Sequence, residues 1–173
     1  HMESNFGKMT ITRGKEHTFL GMLITLNSDG TVKIVMEDYV KEAIVDFGED
    51  VSTSAATPAK KNLFDINERS TPLSKAQADR FHSVVAKLLY ISKRGRLDIQ
   101  LAIAFLCTRV SCCTEEDGGK LKRVLQYLHR TLHDFLVLGA DCLTTLRTWV
   151  DAAYGVHHDM KSHTRGVMLL GQG

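Results

Sequence analysis

Between Lys75 and Leu132 apolar residues recur with a helical period, in three successive patterns. Phe81, Val84, Val85, Leu88 and Leu89 fall at i, i+3, i+4 and i+7 spacing, which predicts one apolar stripe on an amphipathic helix. Ser74 precedes that stripe with Gln77 three places on, the spacing of a capping box. The run from Ile99 to Val110 is apolar almost all round (Leu101, Ala102, Ile103, Ala104, Phe105, Leu106), which predicts a central, buried helix. Leu121, Val124, Leu125, Leu128 and Leu132 mark a third helix, with Lys120, Lys122, Arg123, Gln126 and Arg130 on its other side. Gly95 separates the first helix from the second. Thr114 and Asp117 offer the third a weaker cap, and Gly118-Gly119 in its first turn costs about 1 kcal/mol per glycine, so its entry is expected to fray.

On either side of this block the period changes. Thr10 to Arg13 reads as a short strand, Gly14 as a turn, and His17 to Leu26 as one longer strand rich in β-branched and large apolar residues. Asn27-Ser28-Asp29-Gly30 is a strong turn signal, and Thr31 to Val35 then alternates, with Val32 and Ile34 on one face. Tyr39, Val40, Ala43, Ile44 and Phe47 predict a further helix that Gly48 stops. From Glu49 to Thr71 the pattern dissolves into a long connector, which Leu63, Phe64 and Ile66 are expected to pin to the core. After His133 strands return over Phe135 to Leu138, Leu143 to Val150 and Gly166 to Leu170. The chain therefore reads as α+β: an N-terminal β-hairpin unit over 3–36, a helical bundle over 37–133, and antiparallel strands over 134–173.

Composition narrows the class. With 43% hydrophobic and 24% charged residues over 173 positions, the chain reads as globular, and its apolar runs fall short of the ~20 residues that span a bilayer. No membrane or signal segment is expected, and His1-Met2 reads as a cloning remnant. Cys107, Cys112, Cys113 and Cys142 lack C-x-x-C spacing, which points away from a disulfide framework or a zinc knuckle and towards a reducing, intracellular compartment, cytoplasmic or nuclear. A net charge of +2 does not by itself argue for nucleic acid. The placement of positive charge does more: Arg13 and Lys15, Lys60 and Lys61, Lys93 to Arg96, and Lys120 to Arg123. For any one of these clusters the ordinary alternative is a solvated face.

Catalytic chemistry finds no complete set of residues. Metal-dependent polymerases and nucleases need two or more carboxylates converging on divalent ions about 3.5–4 Å apart. Glu115, Glu116 and Asp117 sit at a helix start, where negative charge is favourable anyway, and Glu49 and Asp50 lie in a loop. Asp151 ends an apolar strand and is followed by small residues, a position from which a sheet presents a carboxylate to a ligand; on spacing alone a turn former or helix cap is the better fit. His157-His158-Asp159 reads as surface loop, since adjacent histidines do not easily face one tetrahedral ion. His163 and Ser162 approach Asp151 if the last strands pair, without the signature of a nucleophilic serine. Neither a G-x-x-x-x-G-K-[ST] nor a G-x-G-x-x-G phosphate loop occurs.

Seven short motifs in order carry a family resemblance. They are His17-Thr18-Phe19-Leu20-Gly21-Met22, Tyr39 with its helix, Thr57-Pro58, Leu88-Leu89-Tyr90, Arg96-Leu97-Asp98-Ile99, Val124-Leu125-Gln126-Tyr127-Leu128, and Asp151-Ala152 with Lys161-Ser162-His163-Thr164. From Thr10 to Gly171 this series resembles the C-terminal part of copia-type LTR-retrotransposon reverse transcriptases. The resemblance implies that Phe19-Leu20-Gly21 is a hairpin at the end of the palm, similar to a primer grip. It makes 37–133 the thumb and connecting helices, and 134–173 the incomplete, truncated start of an RNase H-like domain. It places the polymerase's Y-x-D-D upstream of Glu3 and leaves Asp151 as the lone RNase H-like carboxylate, a metal ligand only in a longer chain. Mg2+ is implied for the full-length parent and no cofactor for this chain. Leu97 stands where the family usually has proline, Arg165 where it has a small residue, and Gly118-Gly119 where it is more helical.

Two functional expectations follow. In the first, the chain is a non-catalytic piece that holds an RNA–DNA hybrid or duplex DNA without sequence preference, through Arg13, Lys15, Lys93, Arg94, Arg96, Lys120 and Arg123 on backbone phosphates and Phe19, Leu20 and Gly21 near the primer strand. In the second, it is a domesticated scaffold that binds protein, including a homodimer through open strand edges. A duplex binder should gather its basic clusters on one concave face, and a scaffold should show an exposed apolar patch.

Overall fold

A computed structural model describes residues 2–9, 11–157 and 159–171, with the backbone alone at Met2. Thr10, at the head of the first expected strand, and His158 lie outside the described residues. The fold is α+β: five helices and two antiparallel sheets, one of four strands and one of two. Elements are numbered in chain order: α1 Met2–Phe6, β1 Glu16–Phe19, β2 Met22–Leu26, β3 Val32–Val35, α2 Glu37–Phe47, α3 Lys75–Ser92, α4 Gln100–Arg109, α5 Glu115–Arg130, β4 Leu136–Leu138, β5 Leu146–Ala153 and β6 His163–Leu170. Among the described residues no helix is long and apolar enough to cross a membrane.

The helical pattern folds into the core that the spacing predicts. Phe81, Val84, Val85 and Leu88 of α3, Ala102, Ile103, Phe105 and Leu106 of α4, and Leu121, Val124, Leu125 and Leu128 of α5 are all 3% exposed or less. Leu89 departs from the expected stripe at 38% exposed, and Ile91, fully buried, takes the next inward position. The Ser74 amide donates to Gln77 Oε1 at 3.1 Å and the Gln77 amide returns a bond to Ser74 Oγ at 3.4 Å, closing the capping box. Gly48 ends α2 with φ 71°, the left-handed value that glycine adopts at least cost.

The start of α5 is better held than its glycines suggest. Asp117, 2% exposed, accepts from the Thr114 amide at 3.0 Å and pairs with Arg109 Nε at 3.2 Å. The connector's end pairs with the same turn: the Leu73 amide donates to the Cys113 carbonyl and the Glu115 amide to the Thr71 carbonyl. Leu63 is buried, and Phe64 and Ile66 pack against the core, as their apolar character predicts for a pinned connector.

The strands differ from the expectation in two places. His17 to Leu26 is two strands rather than one, because the chain reverses at Leu20-Gly21. The four-stranded sheet has the order β1-β2-β3-β4, so β4 returns to pair with β3, Val32 opposite Leu138 and Ile34 opposite Leu136. The expectation grouped β4 with the later strands because its apolar residues say nothing about which sheet they join. β5 and β6 form a separate ribbon in register from Leu146↔Leu170 to Ala153↔His163.

Candidate nucleic-acid interface

The best-defined polar construction on the surface is the tip of the β1–β2 hairpin. Leu20 and Gly21 both have positive φ, 49° and 78°, the pattern of a two-residue turn whose twist matches the strands it joins. A leucine in that region costs about 1–2 kcal/mol, so surrounding contacts must hold it. Tyr90 of α3 supplies one: its hydroxyl donates to the Leu20 carbonyl at 2.7 Å. Tyr39 of α2 supplies another surface. Its ring lies 5.3 Å from that of Tyr90, and a Cβ on Gly21 would come within 2.8 Å of its Cδ2, so this position requires glycine for space as well as for φ.

What the tip presents is apolar and edged with charge. Phe19 is 58% and Leu20 62% exposed. The Arg94 guanidinium lies over the Tyr90 ring, 4.2 Å from its centroid, and makes no ion pair with a described carboxylate. Lys87 also approaches Tyr39, at 5.9 Å, but Asp46 at 2.6 Å neutralises it. The tip therefore combines a fixed main-chain turn, two exposed apolar side chains and one unpaired guanidinium.

The other cations proposed from sequence are not gathered there. Arg13 and Lys15 are exposed but enter at the far end of β1, about 15 Å from the tip at the usual rise of a strand. Arg96 is 4% exposed and holds Asp98 at 2.7 Å and the Thr131 carbonyl at 2.8 Å, so this member of the set braces the exit of α5 and offers no free donor edge to a phosphate. Lys93 is exposed and faces a cavity between α4 and β6. Lys120 binds Glu116 at 3.2 Å and the Asp65 carbonyl, and Arg123 donates to Thr57 Oγ1 at 3.0 Å; both reach towards the connector. The sequence set divides into one cation at the tip, several elsewhere on the surface and one in the core.

Asp151 lies within β5, directly opposite Arg165, whose Nε and Nη2 stand 3.1 and 3.0 Å from Asp151 Oδ2. The carboxylate is thus already engaged by Arg165. Among the described residues no three histidine, cysteine, aspartate or glutamate side chains converge in a way that would hold a metal ion. His163 lies on the same face of the ribbon, as expected if these strands pair, shares a small cavity with Asp151 and Arg165, and packs towards Phe64 at 5.8 Å and His157 at 5.7 Å. His157 itself packs against Phe64 at 4.9 Å, so it docks the β5–β6 end on the helices instead of lying free as the loop reading expects.

Tyr39 and Tyr90 belong to the motifs that carry the resemblance, and nothing in their local sequence places them at the interface. Their role in shaping the tip depends on contacts 70 residues apart in the chain, Tyr90 with Leu20, which spacing does not reveal.

Over 159 residues, 91% of its length, the chain is 28% identical to a protein assigned to transposon Ty5-1 in Saccharomyces cerevisiae. It spans about half (50%) of that relative's length. No protein-family model matches the chain, and no solved structure matches it. The likeness, which runs nearly the whole length of the chain, suggests a retrotransposon origin.

Proposed function

We propose that this chain is the palm-end, thumb and RNase H-start portion of a copia-type reverse transcriptase, divided as 3–36, 37–133 and 134–173, and that it holds primer–template duplex without catalysing a reaction itself. The observation that carries the reading is the hairpin tip: a strained Leu20-Gly21 turn held by Tyr90, with Phe19, Leu20 and Arg94 exposed beside it. Backbone strain of this kind persists where surrounding structure over-determines it, and it concentrates at functional sites. Arg94 meets a phosphate as a planar donor, while the apolar side chains lie along sugar and base edges. Arg13, Lys15 and Lys93 add charge at a distance. Asp151 takes part in metal chemistry only when a longer chain supplies further carboxylates and Mg2+. The place of work is intracellular, cytoplasmic or nuclear.

The test is fluorescence anisotropy with a labelled RNA–DNA hybrid and duplex DNA. Micromolar binding is expected at about 50 mM salt, weakening steeply by about 200 mM. Arg94→Ala should weaken both duplexes alike and lower the salt slope by about 1, whereas Lys120→Ala with Arg123→Ala should matter less. Absence of binding at the lower salt sinks this reading.

One observation favours the scaffold reading instead. β5 and β6 form a ribbon with two open edges, and Leu146, Val150, Met168 and Leu170 share one face at 42 to 70% exposure. Open edges of this kind are templates for pairing with another chain, and an open apolar face is a surface on which one packs. Concentration-dependent dimerisation abolished by Val150→Lys, together with no duplex binding, would transfer the function to it.

A further inference from the structure

The connector and α5 enclose a cavity of about 350 Å³, within the size range of small-ligand sites. Its apolar wall is the turn around Ala59 and Leu63, and its charged wall is one face of α5. Three cations line it, Lys60, Lys120 and Arg123, against a single carboxylate, Glu116. That carboxylate is already committed, since it holds Lys120 at 3.2 Å and accepts the Asn67 amide at 3.0 Å. Lys60 is exposed and spends its charge on no described partner.

Arg123 is the unusual member. Its Nη2 donates to Thr57 Oγ1 at 3.0 Å, while Nε is buried and has no hydrogen-bond partner among the described residues. Buried donors in folded proteins are nearly always satisfied, and an unsatisfied one on a charged group is costly. Nε and Nη2 form the edge of a guanidinium that grips two oxygens of one anion side by side. Here that edge is half used, by a hydroxyl that itself donates to the Ala59 carbonyl at 2.9 Å in the same turn. The turn from Thr57 to Ala59 thus closes over the edge, and lifting it would give an anion both donors.

We infer that this cavity binds a phosphomonoester with an apolar body, of nucleoside monophosphate size, with the phosphate on the Nε–Nη2 edge of Arg123 and on Lys60, and the body against Ala59 and Leu63. The same chemistry is offered by a free nucleotide and by the 5′-phosphate end of a strand. The inference is independent of the duplex reading, because neither the hairpin tip nor Arg94 takes part.

The experiment is a titration of the 173-residue protein with adenosine 5′-monophosphate, followed by 1H–15N NMR with the arginine side-chain Nε–H signals resolved. Saturable binding with a Kd of about 0.1–1 mM is expected. The Arg123 Nε–H signal should move downfield, and adenosine should bind at least ~10-fold more weakly. Lys60→Ala, at an exposed position, should weaken binding about 5-fold, and Arg123→Lys, which keeps charge but lacks the fork, about 10-fold. A 5′-phosphorylated heptanucleotide that binds more tightly than its 5′-hydroxyl counterpart identifies a strand end as the source; preference for the mononucleotide identifies the free metabolite. Equal affinity for adenosine and its monophosphate, an unmoved Arg123 signal, or no saturation by about 10 mM overturns the inference. If Arg123→Lys fails to fold, Lys60→Ala and the Arg123 signal still decide it.

Discussion

Leu88, Phe105, Leu121 and Leu128 in the helical body are at most 1% exposed, whereas Leu146, Val150 and Met168 in the β5–β6 ribbon are 62 to 70% exposed. The apolar side chains are similar and their surroundings are not. Each helix has another element to cover its stripe, and the connector returns over α5 to close the remaining side. Two strands offer two faces and nothing among the described residues to cover one of them. The ribbon meets the body mainly at one end, through His157 and His163 against Phe64. A two-stranded hairpin alone is marginal in water, so stability resides in the helical body and the ribbon rides on it. The same division separates Arg96, 4% exposed and bonded on all sides, from Arg94, two residues earlier, which lies on a tyrosine ring at the surface. The buried guanidinium braces the fold and the exposed one is available to partners.

Substitutions can break this contrast or sharpen it. Leu88→Ala should cost the most, about 2–5 kcal/mol in urea unfolding, because it opens a cavity in a region that cannot collapse. Arg96→Met should cost about 1–3 kcal/mol, since it takes the guanidinium from the Asp98 carboxylate, which at 36% exposed is still reached by water and by Tyr127. The loss should depend on pH. Burial opposes the charge on Asp98, but hydrogen bonds from Arg96 and Tyr127 outweigh it and hold the carboxyl below its ordinary 3.8. Because the folded value lies below the unfolded one, this stabilisation is complete above about pH 4 and is lost as pH falls through the folded value. The gap between wild type and Arg96→Met should therefore narrow below about pH 4, read as converging unfolding midpoints.

Gly118→Ala should raise stability by about 0.5–1 kcal/mol in the same assay, since a Cβ there meets only Leu73 Cδ2, at 4.0 Å. Met168→Ala should change stability by less than about 0.5 kcal/mol. A loss as large as that of Leu88→Ala would mean that the ribbon's open face is covered in solution, and analytical ultracentrifugation would then show by what.

Much of the helical body was legible in the residues. The i, i+3, i+4 stripes, the Ser74–Gln77 cap and the Gly48 stop are local signals, set by neighbours within one or two turns. Leu89 escapes burial because an apolar residue at i+8 falls at the margin of the stripe, where the neighbouring element decides its burial. The Leu20-Gly21 reversal was invisible to periodicity: Phe-Leu-Gly-Met lacks the Asn-Gly or Asp-Gly that such turns favour, and only the motif resemblance pointed to it. The cations carried no signal of their division. Arg94 and Arg96 are alike in local sequence, and their fates depend on Tyr90 in one case and on Asp98 and Thr131 in the other.

By itself the sequence determined the α+β class, the three core helices and their faces, the pinned connector, and the order of motifs that relates the chain to retrotransposons. The first three follow from periodicity, capping and composition, which act over a few residues, and the relation to retrotransposons is what the resemblance of the motifs implies. Only the tertiary structure decided that β4 joins the first sheet, that Tyr90 holds the hairpin tip from 70 residues away, that Arg165 takes Asp151, and that Arg123 is left with an unfilled edge beside a cavity. Each of these is a pairing between segments distant in sequence, and pairings of that kind are fixed by packing the whole chain at once.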